Sequence, residues 1–315
     1  MAAVSRKSLE VALLFDEEPY TYSDVLVTGA LRGEWASLTA RQRADGGADG
    51  SLTGQAAARI VDFRRAHRLE AASDLRHWLS GRDLDGNDLL RYARGEACGW
   101  WAEAVFSGYF GRWAEALERW LIVQRLAGTR HLEADDDTFW LIEASGVLEV
   151  ASGTDRQRAG VLARAFGDYQ SWAASAISES EIDQLIGRRK IGWTRLEFDE
   201  LIFTSAAAAA EALACVAEDG ESLAAVAARA GTAVTARSAW QEDLPAGIGS
   251  LLLALEPGQV GVPSGTGGLP ELVRLRAAVP PATDDDQVRE LAAAELRRVI
   301  LAASGAGHIR RVGAW

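Results

Sequence analysis

Cysteine and histidine are scarce in this chain. The cysteines, Cys98 and Cys215, stand far apart without companions, and the histidines, His67, His77, His131 and His308, show no metal-ligand spacing. A disulfide framework and a structural zinc site are thereby excluded, and no metal or cofactor is expected. Cys215 lies in an alanine-rich stretch, where a thiol reads as a small buried hydrophobe. No apolar run approaches the roughly 18 residues that a membrane helix needs. The opening "MAAVSRKSLEVALLF" carries a basic pair but too short an apolar core for a secretory signal, so a cytoplasmic protein is expected. Excess positive charge is lacking too: the net charge is −12, and the basic clusters "GRRK" at 187–190 and "IRR" at 309–311 are short. Nucleic acid is therefore excluded as a partner, whereas a cationic peptide is compatible.

What is present is an ordinary globular balance, 48% hydrophobic and 25% charged, over 315 residues. That length exceeds what one core usually serves, so two or three lobes are expected. Eleven tryptophans are the conspicuous excess. Trp113 and Trp120 are seven apart, which is one helical face; they pack a helical core or line an aromatic groove.

Along the chain, "VALLF" reads as a strand, "DEEP" as a turn, and Thr21 or Ser23 as the cap of a following helix. "RADGGADGSLTG", 43–54, reads as a loop. Helical patterns then dominate as far as "SESEIDQLIGRRK", 178–190, whose leading serine and acids suit a helix N-terminus. Only Pro19 precedes residue 245, whereas six prolines fall from Pro245 to Pro281. This shift marks a boundary near Gly192. Beyond it the reading is strand 196–203, helix 205–218, short helix 221–230, strand 232–240, helix 246–255 and strands 258–262 and 270–278. Strands with helices packed on them make an α+β domain. A closing helix, 284–304, and the tail "HIRRVGAW" complete the chain. The expected division is 1–190, mostly helical; 191–281, α+β; and 282–315, packing back on the helical part.

Three stretches carry a family resemblance. "WTRLEFDELIFTSAAAAAEALACVAEDGESLAAVAARAG", 193–231, is followed by "DLPAGIGSLLLALEPGQVGVPSGTGGLPELVRLRAAVPP", 243–281. In the first part of the chain come "LLFDEEPYTYSDVLVTG" and "FRRAHRLEAASDLRHWLSGRDLDGNDLLRYARG", 63–95. Together they resemble the SurA- and PrsA-like chaperones that carry a parvulin-type peptidyl-prolyl isomerase domain, while 108–176 matches nothing in that pattern. Some relatives of this type look like accessory proteins of peptide natural-product maturation. The resemblance implies two working histidines on neighbouring strands and a nearby cysteine or aspartate. Here the matching positions hold Glu200, before Leu201, Ile202 and Phe203, and Glu271, before Leu272 and Val273. The glycine-rich loop that brings the third polar group is absent from "TAVTARSAWQEDLP".

Two nearby carboxylates repel, and one pKa rises. The departure argues against efficient isomerisation of a bond whose rotation barrier is about 18–20 kcal/mol in ordinary peptides. The expectation is a peptide-binding accessory protein whose site comprises Glu200, Ile202, Trp240, Leu252, Glu271 and Val273. Its partner would be a precursor peptide or unfolded segment, and modifying enzymes of the same pathway. The alternative from another class is an enzyme, an unusual prolyl isomerase or a peptide-modifying enzyme using Glu200 and Glu271. Against both stands the plain possibility that the two glutamates occupy a wet sheet face. Elsewhere, "HLE" with "ADDD", 131–137, reads as a solvated acid run, and "SGTGG", 264–268, as a hairpin turn.

Overall fold

The computed structural model describes residues 9–38, 53–69, 71–96, 98–128, 136–149, 151, 154–263 and 270–312. Of the loop expected over 43–54, residues 43–52 lie outside them and 53–54 begin a helix; of the acid run 131–137, residues 131–135 lie outside and 136–137 begin another; the turn at 264–268 lies outside. The fold is mixed α+β with two small antiparallel sheets. It divides into two compact units. One runs to Ala176 and takes in the chain again from Arg298; the other is Ile177–Arg297.

In the first unit, β1 (Val11–Phe15) pairs with β2 (Glu18–Thr21) on one side and β7 (Ile309–Arg311) on the other. Asp16 and Glu17 make the two-residue turn, both with positive φ (49° and 66°), as a twist-matched hairpin turn requires. The turn is tied down by Asp16, whose carboxylate meets His308 Nδ1 at 2.7 Å and also pairs with Arg125. Thr21 then caps α1 (Tyr22–Leu31) in a reciprocal capping box with Asp24. All ten residues of α1 are buried, so it forms the centre of the unit rather than an amphipathic wall. Asp24 is affordable there because it accepts from the Thr21 backbone N–H and from Thr154 Oγ1, both at 2.8 Å. Around α1 pack α6 (Tyr109–Ala127), α7 (Asp136–Ser145) and α8 (Arg156–Ser175). Gly29 lets the Trp113 indole lie on α1; a Cβ there would sit 2.5 Å from the ring. Trp113 and Trp120 are both core residues, and Trp113 Nε1 donates to Glu34 at 2.6 Å.

A second cluster joins α2 (Thr53–Ala66), α3 (Ala72–Ser80), α4 (Gly86–Arg94) and α5 (Trp100–Phe106). Phe63 meets Trp78 and Phe106 edge-to-face, and Trp78 stacks on Phe106, at centroid distances of 5.2–6.2 Å. The tail closes the unit: Leu301 enters the core, and Arg311 donates to both oxygens of the nearly buried Glu118 at 2.7 and 2.9 Å.

The second unit begins with α9 (Glu179–Arg188), capped by Ser178 in another capping box. Then follow β3 (Arg195–Ile202), α10 (Ala206–Ala217), α11 (Leu223–Ala230), β4 (Thr235–Trp240), α12 (Ala246–Ala254), β5 (Val260–Gly261) and β6 (Glu271–Val279). The strands order as β4-β3-β6-β5, all neighbours antiparallel. Ser205 and Ser222 cap α10 and α11, so each helix starts where the sequence supplies an N-cap.

Helix α13 (Asp286–Gly305) contains the division between the units, with residues to Arg297 in the second and the rest in the first. The boundaries expected at 190 and 282 differ from this division for a physical reason. Ile182, Leu185 and Ile186 of α9 share a core with Trp193 and with Val288, Ala292 and Ala293 of α13. Arg289 pairs with Glu179 and Asp183, and Arg189 with Glu295. α9, and α13 as far as Arg297, thus belong to the second unit.

Candidate functional site

Side chains alternate across a strand, so the register of β3 assigns each residue a face. Phe198, Glu200 and Ile202 share one face. Opposite them stand Leu275, Val273 and Glu271 on β6, and Arg237 and Thr235 on β4. α12 covers one end of this face: Leu196, Phe198, Val273 and Leu275 form a core with Ile248 and Leu252. The other end is open. There Ile202 is 42% exposed, an apolar side chain left in water beside two carboxylates.

Glu200 is 8% exposed, and its Oε2 accepts from Arg237 Nε at 3.0 Å and Nη2 at 2.9 Å. Glu271 sits diagonally across β3–β6 on the same face. Its Oε2 is buried and has no hydrogen-bond partner among the described residues. Burial first, and the Glu200 charge second, raise the Glu271 pKa, while Arg237 works the other way. The arrangement is therefore one carboxylate neutralised by a guanidinium and one partly desolvated carboxyl with an unspent oxygen. Protonated, Glu271 can donate to a peptide carbonyl; ionised, it can accept from a peptide N–H.

Of the residues expected at the site, Glu200, Ile202 and Glu271 come together at the open end. Val273 and Leu252 are 0% exposed and form the floor rather than a contact surface. Trp240 is not at the site. It pairs with Arg195, which places it on the opposite face, and it packs against the cluster of Ile182, Trp193 and Val288. Its membership is corrected for that reason: the period of two puts Trp240 out of phase with Arg237.

Sequence reasoning missed Arg237 as the partner of Glu200. It also missed the pairing of Asp199, 6% exposed on the reverse face, with Arg274 at 3.1 and 2.5 Å. The signal was present in the basic residues spaced through "TARSAW" and "ELVRLRAAV", but it is legible only once the register is known. The reverse face carries its own apolar core of Leu201, Leu272, Val226 and Ala209 under α10 and α11. Among the described residues one group has metal-ligand proximity, Cys215, Asp219 and Glu221, within 4.8 Å of one another; Glu221 is already paired with Arg229 at 2.9 Å. Among the described residues no helix is long and apolar enough to cross a membrane.

No family model matches the chain, and no curated protein matches it. Among solved structures it matches one of the SurA-like chaperones of Campylobacter jejuni, from a description of the virulence factor PEB4 and the periplasmic protein Cj1289 as structurally related. The identity is 11% over 96% of this chain and 98% of that one, with a TM-score of 0.21. The match is distant and assigns no activity. The cytoplasmic location expected from the opening residues is withdrawn, since the description of that match names a periplasmic protein.

Proposed function

We propose that the chain is a chaperone-like, peptide-binding accessory protein, and that an extended polypeptide segment lies across the open end of the β3–β6 face. The observation that carries this reading is the Glu271 carboxyl, its Oε2 buried without a partner among the described residues, beside the exposed Ile202 and the Arg237-neutralised Glu200. A peptide supplies what these groups lack: amide groups for Glu271 and an apolar side chain for Ile202. The order strand, two helices, strand, helix, two strands supports the parvulin-like reading of this unit. Glutamates at the matching histidine positions support a groove that binds without efficient isomerisation. The partner class we favour is a precursor peptide awaiting modification, or an unfolded segment of similar character.

A second reading, catalysis by the carboxyl pair, draws on the raised pKa of Glu271 beside the Arg237-paired Glu200. One pair of assays separates the two. Fluorescence anisotropy with a labelled, unstructured proline-containing peptide should show saturable binding. A prolyl isomerisation assay on the same peptide should show no acceleration over the uncatalysed rate. Acceleration that disappears in Glu271→Gln would establish the catalytic reading, and absence of binding would remove the first.

A further inference from the structure

The first unit holds a cleft of about 850 Å³ between the β1–β2 hairpin, α6 and α8. Its size lies within the range of small-molecule and short-peptide sites. Phe15, Leu121 and Val161 give it apolar walls, and Gln124 and Gln157 give it amide groups. Its charges are distributed unevenly. Arg125 pairs with Asp16, and Arg158 pairs with Glu18, donates to the Pro19 carbonyl at 2.8 Å and lies over the Tyr20 ring. Both acids of the cleft are thus engaged. Arg164 lines the same cleft, is half-buried, and has no partner among the described residues.

A half-buried guanidinium with no partner among the described residues is notable in a chain of net charge −12, where acids outnumber bases 45 to 33. A guanidinium presents a planar fork that matches a carboxylate in bidentate fashion. The flanking glutamines can both donate to and accept from the amides next to such a group. We infer that this cleft is a second binding site, for a short peptide segment bearing a carboxylate, with Arg164 taking the carboxylate and Gln124 and Gln157 the neighbouring amides.

The test is equilibrium dialysis of the full chain against three pools of N-acetylated tetrapeptides, read by mass spectrometry. The first pool has a free C-terminal carboxylate and no acidic side chains. The second is C-terminally amidated and contains Asp and Glu. The third is amidated and lacks acids. Retention of the first or second pool by about fivefold over the third is expected, and the better-retained pool tells a terminal from a side-chain carboxylate. Arg164→Gln should bring that pool down to the level of the third, and Arg164→Lys should keep part of the preference, with circular dichroism showing both variants folded. Glu200→Ala/Glu271→Ala should leave the preference intact, which separates this site from the sheet face. Equal retention of all pools, no retention, or a preference unaffected by Arg164→Gln would overturn the inference, as would its loss in the glutamate double variant.

Discussion

Breaking the Glu200–Arg237 pair from its two ends should have unequal costs. Two unit charges about 4 Å apart interact by about 4 kcal/mol at an effective dielectric of 20 and about 1 kcal/mol in water. The Arg237 side chain is 55% exposed and the Glu200 side chain taken alone only 11%, so the pair belongs toward the lower end, at about 1–2 kcal/mol. Arg237→Gln leaves a nearly buried carboxylate unpaired and facing Glu271, and should cost about 1.5–2 kcal/mol. Glu200→Gln leaves a guanidinium that water can reach, and should cost less than about 0.5 kcal/mol. The double variant should resemble Glu200→Gln, giving a coupling of about 1.5–2 kcal/mol. Because the chain has two units, the appropriate reading is local: hydrogen exchange of β3 and β4 peptides by mass spectrometry. Equal costs for the two single variants, or a coupling near zero, would refute the reasoning.

Further predictions concern packing and protonation. Gly29→Ala places a methyl 2.5 Å from the Trp113 ring; overpacking of about 1–3 kcal/mol, offset by about 1 kcal/mol of helix propensity, should lower the melting temperature of the first unit. Glu271 has a folded-state pKa raised above its unfolded value, so its protonation favours the folded state at low pH and this contribution is lost as pH rises through the folded pKa. Glu271→Gln should therefore raise the melting temperature at pH 7 and make no difference near pH 4; an equal effect at both would contradict the assignment. Burial, and then the neighbouring Glu103, push the Cys98 thiol up to about 12. Iodoacetamide at pH 8 should accordingly modify the half-exposed Cys215 in the native protein and reach Cys98 only in denaturant, which peptide mapping will show.

The elements of the second unit were legible because each carries its own punctuation. Ser178, Ser205 and Ser222 cap helices that begin where they fall, and the prolines from 245 onward break the helical pattern as β4 gives way to α12. Trp113 and Trp120 declared a core face by their spacing of seven. What the sequence withheld is information that exists only across strands. Whether Trp240 or Arg237 joins Glu200 depends on the β3–β4 register, and a one-residue difference exchanges the faces. The division inside α13 was likewise illegible, since a continuous helix has no break in composition where its neighbours change. The Asp16–Glu17 turn lacks the glycine or asparagine that usually announces positive φ; its support comes from Arg125 and His308, both more than a hundred residues away in sequence. The site was half visible. Its glutamates stood out as acids inside an apolar strand, but the arginine that separates their roles did not.

The measurement that bears most directly on the peptide-binding account is the affinity of the full chain, at pH 7, for an unstructured proline-containing peptide. It is to be made by anisotropy with the wild type and with Glu200→Ala/Glu271→Ala. The account predicts saturable binding that weakens at least about tenfold in the double variant, with the fold intact by circular dichroism. Unchanged affinity in that variant would contradict it and leave the two glutamates as structural residues of the sheet face.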